Sequence, residues 1–186
     1  MKKNLFLFLC CLTLSFEGFT QHLYSLKKSN IHFYAGTPME DIDADNTKTN
    51  SFLDLKAGDI LISIPNNGFK FKSALMEEHF NENYMESEKF PKSEFKGKIL
   101  EIEKYDFSKT DSYKVKIEGT LTVHGVSKKR TLEVTIYREG AALIGTTKFI
   151  ISLADHNIQR PQILWEKLSE NIEVTANFEY QLYQKK

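Results

Sequence analysis

Three stretches of the chain alternate apolar and polar side chains with a period of two. Tyr113, Val115 and Ile117 are opposed by Lys114, Lys116 and Glu118, and Leu132, Val134 and Ile136 by Glu133 and Thr135. The longest run, Ile172, Val174, Ala176, Phe178 and Tyr180, is opposed by Glu173, Thr175, Asn177 and Glu179. Successive side chains of a strand point to opposite faces, so each run predicts a strand buried on one side. Runs at 24–35, 47–56, 58–65, 93–104 and 140–151 bring the expected strands to eight. Pro38, Pro65, Pro91 and Pro161 all stand at the edges of these segments, where a missing amide donor costs least. Turn signals such as Asn66-Asn67-Gly68, His124-Gly125 and Glu139-Gly140 separate them.

Two stretches depart from the strand rhythm. Ser73 is placed to cap a helix on which Met76, Phe80 and Tyr84 recur every four residues, with Glu77 and Glu78 near its positive N-terminal end. A second short helix is expected from Pro161, carrying Ile163, Leu164, Trp165 and Leu168. Antiparallel strands with one apolar face must bury that face, either in a sandwich of two sheets or in one sheet closed into a barrel. Alternation alone leaves both open. In either case Ile60, Ile62, Ile64, Val115, Ile117, Leu132, Val134, Ile136, Val174 and Phe178 face inward. They fill a core or enclose a ligand, and most are Val or Ile rather than Phe or Trp, which leaves more room for an occupant.

The first twenty residues read as an export signal: Lys2 and Lys3, an apolar run over residues 5–16, then Gly18 and Thr20 as small residues before a cut at Thr20/Gln21. The run is too short to make a stable membrane span. Residues 21–186 are then one domain, expected in the periplasm or secreted. Cys10 and Cys11 lie inside the apolar run, so the mature chain is expected to hold no disulfide, thiolate metal site or cysteine nucleophile. Basic and acidic residues balance at 25 each, so no field draws nucleic acid, which is not an expected partner. His22, His32, His79, His124 and His156 lack the spacing that puts two metal ligands on one face, and no metal or other cofactor is expected. There is no Gly-x-Ser-x-Gly elbow, and Asp41/Asp43 and Glu101/Glu103 read as solvated charge, so no catalytic residue and no enzyme activity is expected.

Several motifs in order carry a resemblance. Leu75-Met76-Glu77-Glu78-His79-Phe80-Asn81-Glu82-Asn83-Tyr84, then Phe90-Pro91 and Phe95-Lys96-Gly97-Lys98-Ile99, resemble the YceI-like family. So do Gly119-Thr120-Leu121-Thr122-Val123-His124-Gly125-Val126-Ser127-Lys128 and the later order of Phe149, Asp155 and Pro161. The chain looks like a short form, compressed at Asp41-Ile42-Asp43-Ala44-Asp45-Asn46. The resemblance implies an all-β fold, an eight-stranded antiparallel lipocalin-like β-barrel with one or two short helices. It also implies an exported binding protein that holds a long-chain isoprenoid-type lipid, such as a polyprenol or a quinone tail, in its apolar interior. On that reading the inward residues above bind the chain, and Met76 and Phe80 on the helix cover or gate one end. The competing expectation is an interaction module with a side-chain-filled barrel and an exposed recognition segment from His79 to Tyr84.

Overall fold

The computed structural model describes residues 22–161 and 167–184. Its strands are β1 (Leu23–Tyr34), β2 (Asp43–Asn46), β3 (Asn50–Asp54), β4 (Asp59–Pro65) and β5 (Phe69–Phe71), then β6 (Lys92–Ile99), β7 (Ser112–Val123), β8 (Val126–Glu139), β9 (Ala142–Ser152) and β10 (Asn171–Leu182). Helix α1 (Ala74–His79) lies between β5 and β6 and runs on into a π-helical turn, Phe80–Tyr84. Neighbours pair in the order β10–β9–β8–β7–β6–β4–β3–β1, and β1 pairs again with β10. Eight strands thus close into an antiparallel barrel, and the sandwich is excluded.

The two remaining strands extend this barrel on one side. β1 pairs with β3 at its start (Leu23↔Asp54) and with β2 at its end (Tyr34↔Asp43), while β5 pairs with β2. β2 and β3 therefore follow one path broken at 47–49, and β4 and β5 a second path broken by the tight turn Asn66–Gly68. Two fully buried asparagines hold the breaks. Asn46 Nδ2 donates to the Pro65 carbonyl at 2.8 Å, and its Oδ1 accepts from the Lys48 amide at 2.8 Å. Asn66 Nδ2 donates to the Phe90 carbonyl at 2.6 Å and its Oδ1 accepts from Ser93 Oγ at 2.9 Å. Each side chain supplies the bonds that the interrupted ladder lacks.

The alternation expected for β7, β8 and β10 is realised in the burial of their inward residues, most regularly on β10 from Ile172 to Tyr180. β7 and β8 meet at His124 and Gly125, both with positive φ (49° and 72°), the backbone that a two-residue hairpin following the sheet twist needs. A side chain at position 125 would stand 2.5 Å from the Phe90 ring, so glycine is required for space as well. The helix begins where expected, with Ser73 Oγ accepting from the Met76 amide.

Three expectations change. The strand expected over 93–104 stops at Ile99, because Glu101 turns into the left-handed region (φ 52°) and starts a single 3-10 turn over Ile102–Lys104. The strand expected from 47 begins at Asn50, after the break. Asp43–Asn46, with acidic residues uncommon in strands, forms β2 because Ala44 is buried between outward Asp43 and Asp45. Ile163, Leu164 and Trp165 of the second expected helix lie outside the described residues, while Leu168 is buried.

Asn46→Ala would leave the Pro65 carbonyl without its partner at about 1–3 kcal/mol, while the amide of the exposed Lys48 can turn to water. At about 2–4 °C per kcal/mol for a domain of this size, the expected result is a thermal midpoint lowered by roughly 2–12 °C. An unchanged midpoint in thermal unfolding followed by circular dichroism would remove Asn46 from this role.

Candidate ligand-binding cavity

Inside the barrel lies a cavity of about 310 Å³, walled by side chains from all eight barrel strands. It falls in the range of about 300–1,000 Å³ that small-molecule sites occupy. Among the residues predicted to face a ligand, Ile60, Ile62 and Ile64 line it from β4, and Ile117 from β7. Leu132, Val134 and Ile136 line it from β8, Val174 and Phe178 from β10, and Met76 and Phe80 from the helical segment.

Val115 does not line it. It is buried one inward position past Ile117, next in the strand to Tyr113. Tyr113 packs with Tyr105 and Phe107, the ring centroids 5.5–5.8 Å apart, and these rings fill that end of the barrel. Arg138 ties down this plug: Nε donates to the Phe107 carbonyl at 2.8 Å and a second nitrogen to the Tyr24 hydroxyl at 3.1 Å.

The other end is covered by the helical segment. Phe80 lies against Phe33, Phe69 and Phe71, with ring centroids 5.1–5.6 Å away, so four rings from β1, β5 and the π-turn pack as one group. Such aromatic pairs contribute about 0.5–1.5 kcal/mol each beyond area burial. Phe69 and Phe71 line the cavity outside the predicted set because β5 is too short to show a period, and Phe33 does so because the irregularity between Leu26 and Lys28 and the inward Ser29 break the alternation of β1. Leu121 and Val123 were missed as well, although extending the β7 alternation from Ile117 across Gly119 would have found them. Gly145, Thr147 and Ala176 give the β9–β10 wall its low bulk.

Polar groups deep in the wall are satisfied by the protein itself. The Tyr180 hydroxyl donates to Ser51 Oγ at 2.7 Å, which donates onward to the Leu61 carbonyl, and burial pushes the Tyr180 pKa well above its ordinary value. Ser93 donates to Asn66, and Thr147 to the Glu133 carbonyl at 2.7 Å. Glu40 and Lys167 line the cavity as an ion pair 3.4 Å apart.

Just behind the wall, three segments meet at His124, which the sequence placed only in a turn. Its Nε2 faces Glu86 Oε2 at 2.7 Å and its Nδ1 faces the His156 carbonyl at 3.2 Å, while its side chain is only 11% exposed. Carboxylate and carbonyl both accept, so the ring is held by donating from whichever nitrogen carries a proton. Phe90 packs edge-on at 4.6 Å. His156 is fully buried, Nδ1 faces the Val126 carbonyl at 3.1 Å, and burial lowers its pKa below the ordinary value. The residues adjoining this junction, Met85, Val123 and Ile158 among them, line the cavity, so it fastens the end of the helical segment to the barrel rim.

Strand register also gathers His32, Asp43 and Asp45 on the outer face, with ligand atoms within 4.8 Å of one another. Sequence spacing hid this group, because His32 meets Asp45 only through the β1–β2 register. Its carboxylates are engaged: Asp45 accepts from Asn30 at 2.9 Å and Asp43 from Lys72 at 3.0 Å. Among the described residues no helix is long and apolar enough to cross a membrane.

The family description "YceI-like domain" matches residues 20–180. Among solved structures, the chain is similar to a polyisoprenoid binding domain from Saccharophagus degradans implicated in plant cell wall breakdown. The identity is 14% and the TM-score 0.75, covering 86% of this chain and 98% of that one. It is also similar to Burkholderia cenocepacia BcnA at 14% identity and a TM-score of 0.67, covering 81% of this chain and 95% of that one. At such identities these likenesses speak for the fold. No curated protein sequence matches the chain.

The His124 hydrogen bond holds the Glu86 carboxyl below its ordinary pKa. A depressed folded-state pKa means stability present above the unfolded value, about 4.3 for Glu, and lost as pH falls through the folded one. Wild type is therefore expected to be more stable than Glu86→Gln near pH 6, with the two converging as pH drops below about 4. A gap in thermal midpoint that stays constant through the acid range would show that Glu86 contributes nothing through its charge.

Proposed function

The chain belongs to the YceI-like family, and on that footing we propose that its barrel binds a long-chain isoprenoid-type lipid, a polyprenol or a quinone tail. The observation that carries this reading is the apolar cavity of about 310 Å³ inside the barrel. At about 10–15 Å³ of such space per water-sized group, it takes roughly twenty methylene-sized groups. Burying twenty methylenes at about 0.8 kcal/mol each gives roughly 16 kcal/mol gross. Association costs about 4–15 kcal/mol, so a long chain binds and a ligand of a few carbons does not. The polyisoprenoid binding of the Saccharophagus degradans domain supports the same class of ligand here. With residues 1–20 read as an export signal, the protein does this work in the periplasm or after secretion. The interaction-module alternative requires a filled interior, and the cavity counts against it. Binding by burial needs no catalytic residue.

Protein purified from its native host without detergent should release a long-chain apolar compound on organic extraction, read by mass spectrometry. Well-folded protein that repeatedly releases none would overturn the proposal. Val134→Phe adds bulk inside the cavity that Val134 lines, whereas Thr135 is its outward neighbour. The expected outcome is lipid loading cut about tenfold for Val134→Phe, with less than the roughly 1–3 kcal/mol stability loss of an overpacked core. Thr135→Phe should leave both loading and midpoint near wild type. Equal loading in the two variants would remove Val134 from the site.

A further inference from the structure

The cavity wall is uneven in its unused hydrogen-bonding capacity. The deep hydroxyls of Tyr180, Ser93 and Thr147 all donate to protein acceptors. Glu40 and Lys167 neutralise each other. The polar lining residues left over are His79 and Tyr84, whose side chains make no hydrogen bond with any other described residue. Both belong to the helical segment at the mouth. In an α-helix, residues five apart lie about 140° around the axis from one another, so they do not share a face. Here the chain widens into the π-turn, with the Met85 amide donating to the Phe80 carbonyl at 2.8 Å, five residues back, and both side chains reach the cavity. Such turns inside helices recur at functional sites. Tyr84 is half-buried, and its desolvated hydroxyl is held above its ordinary pKa.

Charge on the helical segment itself has one sign. From residue 73 to residue 88 the chain carries Glu77, Glu78, Glu82, Glu86 and Glu88 and no lysine or arginine. Glu77 is paired with Lys70, and Glu86 with Lys89 and His124. Glu78, Glu82 and Glu88 make no ion pair with the described residues, and Glu82 stands one turn from His79. Among the described residues of the lining, Lys167 is the one lysine or arginine, and it is already taken by Glu40. An anionic head would meet uncompensated carboxylates and no free lining cation, while an uncharged oxygen would meet two vacant hydrogen-bonding groups.

We propose that the π-turn is a head-group site: the chain enters tail first, and an uncharged alcohol or carbonyl head is held by His79 and Tyr84, while a diphosphate head is turned away by the acidic rim. This rests on the lipid-binding reading above and names the ligand class within it.

The test is equilibrium dialysis of the whole protein, freed of bound lipid, against geranylgeraniol, geranylgeranyl diphosphate and the head-less hydrocarbon phytane. Geranylgeraniol should bind about tenfold or more tighter than its diphosphate, and the gap should shrink as salt rises and screens the rim. Tyr84→Phe keeps the ring and removes the hydroxyl; it should weaken geranylgeraniol by about tenfold and leave phytane unchanged. Glu78→Gln with Glu82→Gln should narrow the gap between alcohol and diphosphate. Diphosphate binding as tight as alcohol binding would overturn the proposal, as would a Tyr84→Phe effect equal on all three probes. If phytane binds and the alcohol gains nothing over it, the head site alone fails. If none of the three binds, the lipid-binding reading itself fails and the head site with it.

Discussion

An eight-stranded barrel is narrow enough for its own side chains to fill, and whether it does so depends on where bulk is placed along the inner face. In this chain two groups of packed rings stand at the ends. Tyr105, Phe107 and Tyr113 close one end, and Phe33, Phe69, Phe71 and Phe80 pack at the other. Between them the wall is mostly aliphatic, with Phe95, Phe149 and Phe178 set into it and the small Gly145, Thr147 and Ala176 limiting its bulk. A void of this kind forgoes dispersion contacts that a filled core would make. The closed hydrogen-bonded wall and the two aromatic groups carry the fold without them.

The mouth is built differently from the floor. Where Arg138 pins the plug by direct hydrogen bonds to Phe107 and Tyr24, the helical cover is held by ring packing on one side and by the His124 junction on the other. The cover and the polar lining thus fall in the same segment: what shuts the cavity is also what presents its unused hydrogen-bonding groups. A ligand that fills those groups would strengthen the closure it passes through.

Much of this was legible in the sequence, and the limits have physical causes. A period of two reports which face a residue takes, so the inward sets on β4, β8 and β10 could be read directly. It says nothing of depth along the barrel axis, which is why Val115 and Ile117, on one face of one strand, separate into plug and cavity. It fails where a strand is short, as at β5, or carries acids, as at β2. Register lies beyond it too: the meeting of His32 with Asp45, or of His124 with Glu86, depends on pairings between segments distant in the chain. The choice of barrel over sandwich came from resemblance, because alternation is the same in both.

The seam of the barrel is formed by its first and last strands, β1 and β10, which pair along nearly their whole length. Until the final strand is in place the inner face is an open sheet, wet on both sides and without the enclosed space that holds a chain. The container is thus finished last. If the barrel carries a lipid as proposed, a nascent polypeptide emerging β1 first does not enclose it on the way, and loading follows closure of the seam. Local hairpins such as β7–β8 form early, whereas the seam must wait for the most distant contact in the fold, the kind that slows folding. On that proposal, loading and folding are separate events in time.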